Sequence, residues 1–193
     1  MIPWLPFAAS VAVYAVAPSV VSKPAPVAIL ALWVAWRGEG SPARLLAAAL
    51  AVDAVADGVI ERTFLGGLAV FLVGHLLKIA AFTADRPALA PARAAPFAAI
   101  AVGVGAVVVP TAGALGVPVA VYAVAIAAMA WRAAARVDGT PIRWLGMAGV
   151  ALFLVSDTLL AANRFVVPLP HADLWILSTY WGAQALIARS AVP

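Results

Sequence analysis

Long apolar stretches recur along the whole chain, separated by short segments that are rich in Gly, Pro and charged residues. An α-helix needs about 20 apolar residues to cross a bilayer, and most of these stretches approach that length. The pattern therefore predicts eight transmembrane helices, at residues 3–21, 24–37, 43–61, 64–84, 93–110, 115–135, 142–163 and 172–190. We expect an all-α fold in which residues 1–193 form a single transmembrane helical domain.

The composition indicates an integral membrane protein. Hydrophobic residues make up 66% of the chain and charged residues 10%, and the mean hydropathy is +1.07, whereas about 25% of the residues of a soluble domain are charged. The first apolar stretch has neither a positively charged start nor a small-residue cleavage site, so we interpret it as a retained helix. The chain has no cysteine, which excludes disulfide bonds and a cysteine nucleophile.

Basic residues are concentrated at one end of the predicted helices. The end that carries both termini has eight of them: Arg37, Arg44, Arg86, Arg93, Arg132, Arg136, Arg143 and Arg189. The opposite end has Lys23, Arg62 and Arg164. The positive-inside rule therefore predicts a multi-pass protein of the cell (inner) membrane with both termini in the cytoplasm. It attributes the net charge of +4 to membrane orientation and not to a nucleic-acid partner.

Two segments in different halves of the chain resemble each other. Residues 56–64, ADGVIERTF, and residues 156–165, SDTLLAANRF, each contain a small residue, an aspartate and a basic residue close to a Phe. An internal duplication of four helices plus four would explain this short similarity.

Few ionisable residues lie inside the predicted helices: Asp53, Asp57, His75, Lys78 and Asp157. A charged side chain near the bilayer centre costs roughly 2.5–3.5 kcal/mol on insertion scales, so such residues usually face the bundle interior and are candidates for function. Positions four apart in a helix share a face, so Asp53, Asp57 and Glu61 form one stripe. This stripe must line protein or water and not lipid.

Asp57 and Asp157 lie at similar depths in two different helices. At 1.5 Å per residue, Asp57 lies about 6 Å from the outer helix end at Glu61. Asp157 lies about 9 Å from Asn163 by the same measure. Two helices thus bring carboxyl groups to one level, and we prefer a catalytic role for both. Other polar residues lie closer to the midplane or at the outer helix ends: Lys23, His75, Asn163, Arg164, Tyr180 and Gln184.

Structural explanations compete with functional ones at several positions. Asp53 is more readily explained as a neutral carboxyl that packs between helices than as a catalytic residue. Lys78 is expected to extend its long side chain to the cytoplasmic face. His75 fits a hydrogen bond across helices as well as it fits contact with a substrate. Glu61, at a helix end, fits an ordinary solvated residue.

Two neighbouring carboxyl groups can provide both an acid and a base. In a low-dielectric pocket they do not easily both ionise, so one keeps a proton at neutral pH while the other stays charged. Glycosidases use such a pair to form and quench an oxocarbenium-like species. A vinyl ether needs related chemistry, with protonation of a double-bond carbon, an anion beside the oxocarbenium ion and activation of the attacking water.

Other catalytic devices are absent from the sequence. It contains no G-x-S-x-G elbow and no H-E-x-x-H motif, and its two histidines, His75 and His171, cannot form a three-histidine zinc site within one chain. The run GVGAVVVPTAGALG lacks the Lys-Ser/Thr of a phosphate-binding P-loop. Acid–base chemistry by carboxyl groups therefore remains.

Several motifs occur together along the chain. They are SKP at residues 22–24, ADGVIERTFLGGLAVFLVGHLLKIAAF at 56–82, GVALFLVSDTLLAANRF at 149–165 and STYWGAQALI at 178–187. In these motifs and their order the sequence resembles the lysoplasmalogenase family, also called the YhhN-like membrane family. The resemblance implies an eight-helix membrane enzyme that hydrolyses the vinyl-ether bond of lysoplasmalogens. Its products would be a fatty aldehyde and glycerophosphoethanolamine or glycerophosphocholine.

The resemblance also implies roles for individual residues. The family's paired aspartates correspond to Asp57 and Asp157, which would share the acid and base roles without an assignment between them. Lys23 and Arg164 would bind the phosphate of the lysophospholipid substrate. Four residues would orient water, carboxyl groups or glycerol hydroxyls: His75, Asn163, Tyr180 and Gln184. The resemblance implies no metal or organic cofactor. The family usually has Gly at the position of Ala56 and an aromatic residue at that of Lys78, and these departures concern substrate preference more than fold.

A proton-coupled transporter or a lipid-binding membrane protein is the alternative function. Acidic residues inside the membrane and a parallel repeat also suit transport. A regulator without small-molecule chemistry is a third interpretation. The sequence leaves open the headgroup and chain preference, the leaflet that supplies the lipid and the oligomeric state.

Overall fold

In the computed structural model, which describes residues 3–192, the chain forms eight α-helices and that range contains no β-strand. The helices are α1 (Trp4–Val16), α2 (Ala25–Arg37), α3 (Gly40–Ile60), α4 (Phe64–Asp85), α5 (Ala95–Val108), α6 (Gly116–Arg136), α7 (Pro141–Phe165) and α8 (Ala172–Arg189). Short 3₁₀ turns flank α5, at Pro91–Arg93, Val109–Thr111 and Gly113–Leu115. The predicted all-α class is confirmed, with one helix for each predicted segment.

Prolines set several of the helix ends. Pro26 and Pro141 lie in the first turns of α2 and α7, where a missing N–H costs no helical hydrogen bond. The first helix ends at Val16 instead of the predicted residue 21. Ala17 precedes Pro18 and has left the helical region, with φ −136° and ψ 72°, because a following proline disfavours helical backbone.

Four segments are long and apolar enough to cross a membrane: Phe64–Asp85, Pro91–Thr111, Gly113–Arg136 and Pro141–Phe165. The helices α1 and α2 have 13 residues each. At 1.5 Å per residue each is about 20 Å long, against about 30 Å for a hydrocarbon core. The chain is therefore a multi-pass membrane protein, while eight complete crossings stay a prediction.

Two helix pairs share one core. The most extensive contacts join α3 to α4 and α7 to α8, and further contacts of α2 with α3 and α8, and of α4 with α6, connect the pairs. Leu50, Phe82, Phe153 and Ile187 are fully buried in this core. Gly149 permits the close approach of α7 and α8, because a β-carbon there would lie 2.9 Å from the Ala183 carbonyl oxygen. The internal duplication stays a prediction.

The helix α5 is peripheral. Val108 is its one buried residue, and α5 packs mainly against α6, with a smaller contact to α7. This arrangement leaves a space between α5, α6 and α7, and the candidate site opens into it.

Candidate active site

Asp157 belongs to a hydrogen-bonded cluster from three helices. The Tyr122 hydroxyl, from α6, donates to Asp157 Oδ2 at 2.7 Å. His75 Nε2, from α4, lies 2.8 Å from the Tyr122 oxygen and 3.9 Å from Asp157 Oδ2. His75 is fully buried, whereas 16% of the Asp157 side chain is exposed. We call His75, Tyr122 and Asp157 the Asp157 cluster.

Asp57 has a tyrosine partner of its own. It is 2% exposed, and its Oδ2 accepts a hydrogen bond of 3.0 Å from the Tyr180 hydroxyl of α8. The Tyr180 ring packs edge-on against Phe71 and Phe153, with ring centroids 5.9 Å and 5.5 Å away. Tyr180 is therefore a direct hydrogen-bond partner of Asp57, and its role in a reaction stays a prediction.

The two aspartates lie in neighbouring clusters. Within residues 3–192, no hydrogen bond joins the carboxyl groups of Asp57 and Asp157. The Phe153 ring connects their surroundings, because it contacts Tyr180 and also lies 5.1 Å from the His75 ring. Sharing of one proton between the aspartates stays a prediction.

A partly open, apolar cleft reaches the Asp157 cluster. It is lined by the start of α4 and by α5, α6 and α7, and we call it the apolar groove. Among its lining residues, the polar side chains are Tyr122, Asp157 and Thr158. Phe64, at the start of α4, and Phe165, at the end of α7, mark one end of the groove, whereas Ala101 and Ile126 lie in the middle of α5 and α6. Asp57 does not line the groove.

A buried ion pair lies next to both clusters. Lys78 donates to Asp53 Oδ2, and Gln184 Nε2 donates to the same oxygen at 2.6 Å. All three residues are fully buried. The expectation that Lys78 extends to the cytoplasmic face is therefore wrong: its ammonium is held inside by Asp53 and lies 5.0 Å from the Phe153 ring centroid. Asp53 is paired with a cation, and Gln184 contacts Asp53 and neither predicted catalytic aspartate.

Lys23, Asn163 and Arg164, which were expected at the outer helix ends, differ in their contacts and in their distance from the groove. Lys23 pairs with Glu61, and the pair does not line the apolar groove. Asn163 Oδ1 accepts a hydrogen bond of 2.8 Å from the Leu169 N–H and so closes the loop after α7. Arg164 is exposed, and its guanidinium carbon lies 4.0 Å from the centroid of Phe64, at one end of the groove.

Tyr122 is the site residue that the sequence analysis missed. Apart from Arg132 and Arg136 near its end, the helix α6 is apolar, and the sequence analysis compared depths only for charged residues. Tyr122 lies six residues after Gly116, about 9 Å from the start of α6. The same depth argument therefore contained a signal for it.

The site offers acid–base chemistry to an apolar ligand. A carboxyl group with a tyrosine donor can give and take a proton. In the part of the chain that the structure describes, no three His, Cys, Asp or Glu side chains converge as a metal site requires.

The sequence is similar to known proteins over most of its length. A model of the YhhN family matches residues 19–191. Lysoplasmalogenase TMEM86B of Homo sapiens is 35% identical over 167 residues, which cover 83% of this chain and 69% of the human protein. For TMEM86B of Sus scrofa the identity is 38% over 160 residues, covering 79% and 65% of the two chains. For lysoplasmalogenase TMEM86A of Homo sapiens it is 35% over 153 residues, covering 74% and 63%. The chain thus spans about two thirds of the length of these relatives. No solved structure matches it.

Proposed function

Because this chain belongs to the YhhN family, we propose that it hydrolyses the vinyl-ether bond of lysoplasmalogens. The products are a fatty aldehyde and glycerophosphoethanolamine or glycerophosphocholine. The names of the relatives support the reaction class. The observation that carries the proposal is the position of the Asp157 carboxyl group, bonded to Tyr122, in the wall of an otherwise apolar groove.

The groove matches the parts of a lysophospholipid in order. Arg164, at the end near Phe64, supplies a cation for the phosphate. Asp157 lies seven residues earlier on the same helix, about 10 Å along its axis, which is the scale of a glycerol phosphate. Beyond it, Ala101 and Ile126 offer apolar surface to the hydrocarbon chain. The vinyl ether, which joins glycerol to the chain, then lies beside Asp157.

The chemistry follows from an acid at this position. Asp157 in its protonated form gives its proton to the double-bond carbon next to the chain, and the carbon bonded to oxygen becomes an oxocarbenium ion. The carboxylate left behind stabilises that cation. Water attacks the cationic carbon and its proton returns to the carboxylate, which restores the acid. The hemiacetal then loses its hydroxyl proton, the glycerol oxygen gains one, and aldehyde and alcohol separate.

Asp57 is the second carboxyl group of the proposed pair. It is buried, bonded to Tyr180 and separate from the groove. We propose that the charge of Asp57 influences the protonation of Asp157. The two residues are separated by the contacting rings of Tyr180, Phe153 and His75. Contact with the substrate belongs to Asp157.

The membrane placement is also proposed. Eight spans, cytoplasmic termini and a location in the cell inner membrane rest on the helix pattern and on the distribution of arginines. With this orientation, Arg164 and the groove end near Phe64 face the outer leaflet. Lys23 stays a second candidate for the phosphate, although Glu61 already pairs with it.

The proposal predicts selective cleavage of vinyl ethers. Purified wild-type protein is given a lysoplasmalogen and, separately, the lysolipid with a saturated alkyl ether in the same position. Aldehyde should be released from the first lipid alone, because protonation at carbon needs the double bond. Binding of both lipids without aldehyde would contradict hydrolysis and favour a lipid-binding protein, and flux into vesicles without turnover would favour a transporter.

A further inference from the structure

The two carboxylate oxygens of Asp157 have different surroundings. Oδ2 accepts the Tyr122 hydrogen bond at 2.7 Å and lies 3.9 Å from His75 Nε2. Oδ1 accepts no hydrogen bond from any residue in the range 3–192. Because Asp157 lines the apolar groove and its side chain is partly exposed, Oδ1 is the oxygen available to a ligand in the groove.

The hydrogen bonds at Oδ2 run in one direction. The Tyr122 hydroxyl has a single hydrogen and donates it to Asp157. Its oxygen must then accept from His75, which requires that His75 carries its proton on Nε2. Nδ1 of His75 is buried without a hydrogen-bond partner among the described residues, which fits a nitrogen without a proton. His75 therefore donates to Tyr122, and Tyr122 donates to Oδ2 of Asp157.

We infer that Oδ1 of Asp157 exchanges the proton with the substrate, and that Tyr122 and His75 are positioning residues that hold Oδ2. The inference rests on the proposed hydrolysis and adds two roles to it. A protonated Asp157 carries its proton on Oδ1 while Oδ2 still accepts from Tyr122. After transfer of that proton to the double-bond carbon, the new negative charge is already hydrogen-bonded.

The surroundings of His75 make this arrangement rigid. Its ring is fully buried, lies 4.9 Å from the Tyr122 ring and meets the Phe153 ring edge-on at 5.1 Å. A donor that is fixed before the reaction stabilises a developing charge without reorganisation. The two residues should therefore matter more for turnover than for binding.

The test compares turnover with binding in Tyr122→Phe. The substitution removes the hydroxyl and keeps the ring that lines the groove. We expect kcat to fall about tenfold to hundredfold, at or below the low end of the effect of losing one preorganised donor. The KM and the Kd for the saturated alkyl analogue should stay within about twofold of the wild-type values, because both reflect the unchanged groove. Tyr14→Phe is the matched control, because Tyr14 lies outside the cluster and packs against Trp181.

A second set of variants tests whether His75 acts through Tyr122. His75→Leu should lower kcat, and His75→Gln, which keeps a side-chain N–H donor, should restore part of it. The double variant Tyr122→Phe/His75→Leu should be no slower than Tyr122→Phe alone, because the losses of kcat do not add when two residues act through the same series of hydrogen bonds. If Tyr122→Phe does not fold, the comparison of kcat between His75→Leu and His75→Gln still tests the inference.

Several results would overturn the inference. An unchanged kcat in Tyr122→Phe would show that the hydroxyl has no role in turnover. A raised KM with unchanged kcat would show that Tyr122 contributes to substrate binding in the groove and not to turnover. Equal rates for His75→Leu and His75→Gln, or additive losses of kcat in the double variant, would show that His75 does not act through Tyr122. A wild-type protein that releases no aldehyde would overturn the proposed function as well.

Discussion

The three tyrosines of the chain differ in what their hydroxyl groups contact. Tyr122 donates to Asp157 and Tyr180 donates to Asp57. Tyr14 packs its ring against Trp181, with centroids 5.3 Å apart. A Tyr to Phe substitution therefore removes the hydroxyl that donates to Asp157 or the one that donates to Asp57. The same substitution at Tyr14 provides the control.

Tyr180→Phe tests whether Asp57 takes part in the reaction. The change removes the hydrogen bond to Asp57 and preserves the ring contacts with Phe71 and Phe153. A hydrogen bond to a charged group contributes about 1.5–3 kcal/mol. If Asp57 is the second carboxyl group, kcat for aldehyde release should fall roughly tenfold or more, while Tyr14→Phe should keep the wild-type rate.

A Tyr180→Phe variant as active as Tyr14→Phe would remove Asp57 from the mechanism. Unfolding temperatures in detergent, measured for both variants, distinguish a lowered kcat from a loss of folded protein.

The depth of a residue along its helix can be predicted from the sequence, but the direction of a long side chain cannot. Counting residues from the helix ends selects Asp57 and Asp157 as candidates, because the rise along a helix is fixed by geometry. The same count cannot show which way Lys78 turns. Its partner, Asp53, belongs to a different helix, and a buried charge is stabilised by whichever opposite charge packing brings near. Lys78 was therefore expected in water and is found against Asp53.

At the scale of helices, α3 and α4 meet around the buried ion pair. Gly74 of α4 faces the Asp53 carboxylate, and a β-carbon at this position would overlap it. The absence of a side chain at Gly74 therefore lets Asp53 lie between the helices and reach Lys78. Gly103 of α5 is a contrasting case, with no atom within 4 Å of the position of an added β-carbon.

Gly74→Ala should destabilise the protein, whereas Gly103→Ala should not. Overpacking of a core typically costs about 1–3 kcal/mol, and displacement of Asp53 from Lys78 adds to that loss. Alanine favours a helix over glycine by up to about 1 kcal/mol, so Gly103→Ala should be neutral or stabilising. Denaturant titration in detergent micelles measures both, and equal stabilities would contradict the close contact at Gly74.

The hydrophobic pattern predicted the helices better than their roles. Each apolar stretch became a helix because its backbone must satisfy its own hydrogen bonds in lipid. The early end of α1 follows from Pro18, a local signal that the spacing of apolar residues does not include. The pattern also could not show that α5 lies at the edge with Val108 as its buried residue. That position depends on contacts between distant segments, and the apolar groove arises from it.

At the scale of the whole molecule, the groove places an acid beside a hydrocarbon-binding surface. The peripheral position of α5 leaves apolar surface of α6 and α7 open next to Asp157. A lysolipid can then keep its chain in apolar surroundings, with its phosphate near Arg164 and its ether bond beside the carboxyl group. Motifs in the sequence predicted the family, which the comparisons confirm. Tyr122, and the contact of His75 with it, emerged only from the packed helices.

The most direct test of the proposed site compares Asp157→Asn with Asp173→Asn. Asp173 is exposed in the first turn of α8, outside the groove, and its substitution makes the same chemical change. Aldehyde release from a lysoplasmalogen is measured for both purified variants, together with binding of the saturated alkyl analogue. Asp157→Asn should bind the analogue and lose at least about a hundredfold in kcat, because it cannot act as an acid. Asp173→Asn should match the wild type. Wild-type turnover by a folded Asp157→Asn would contradict the account.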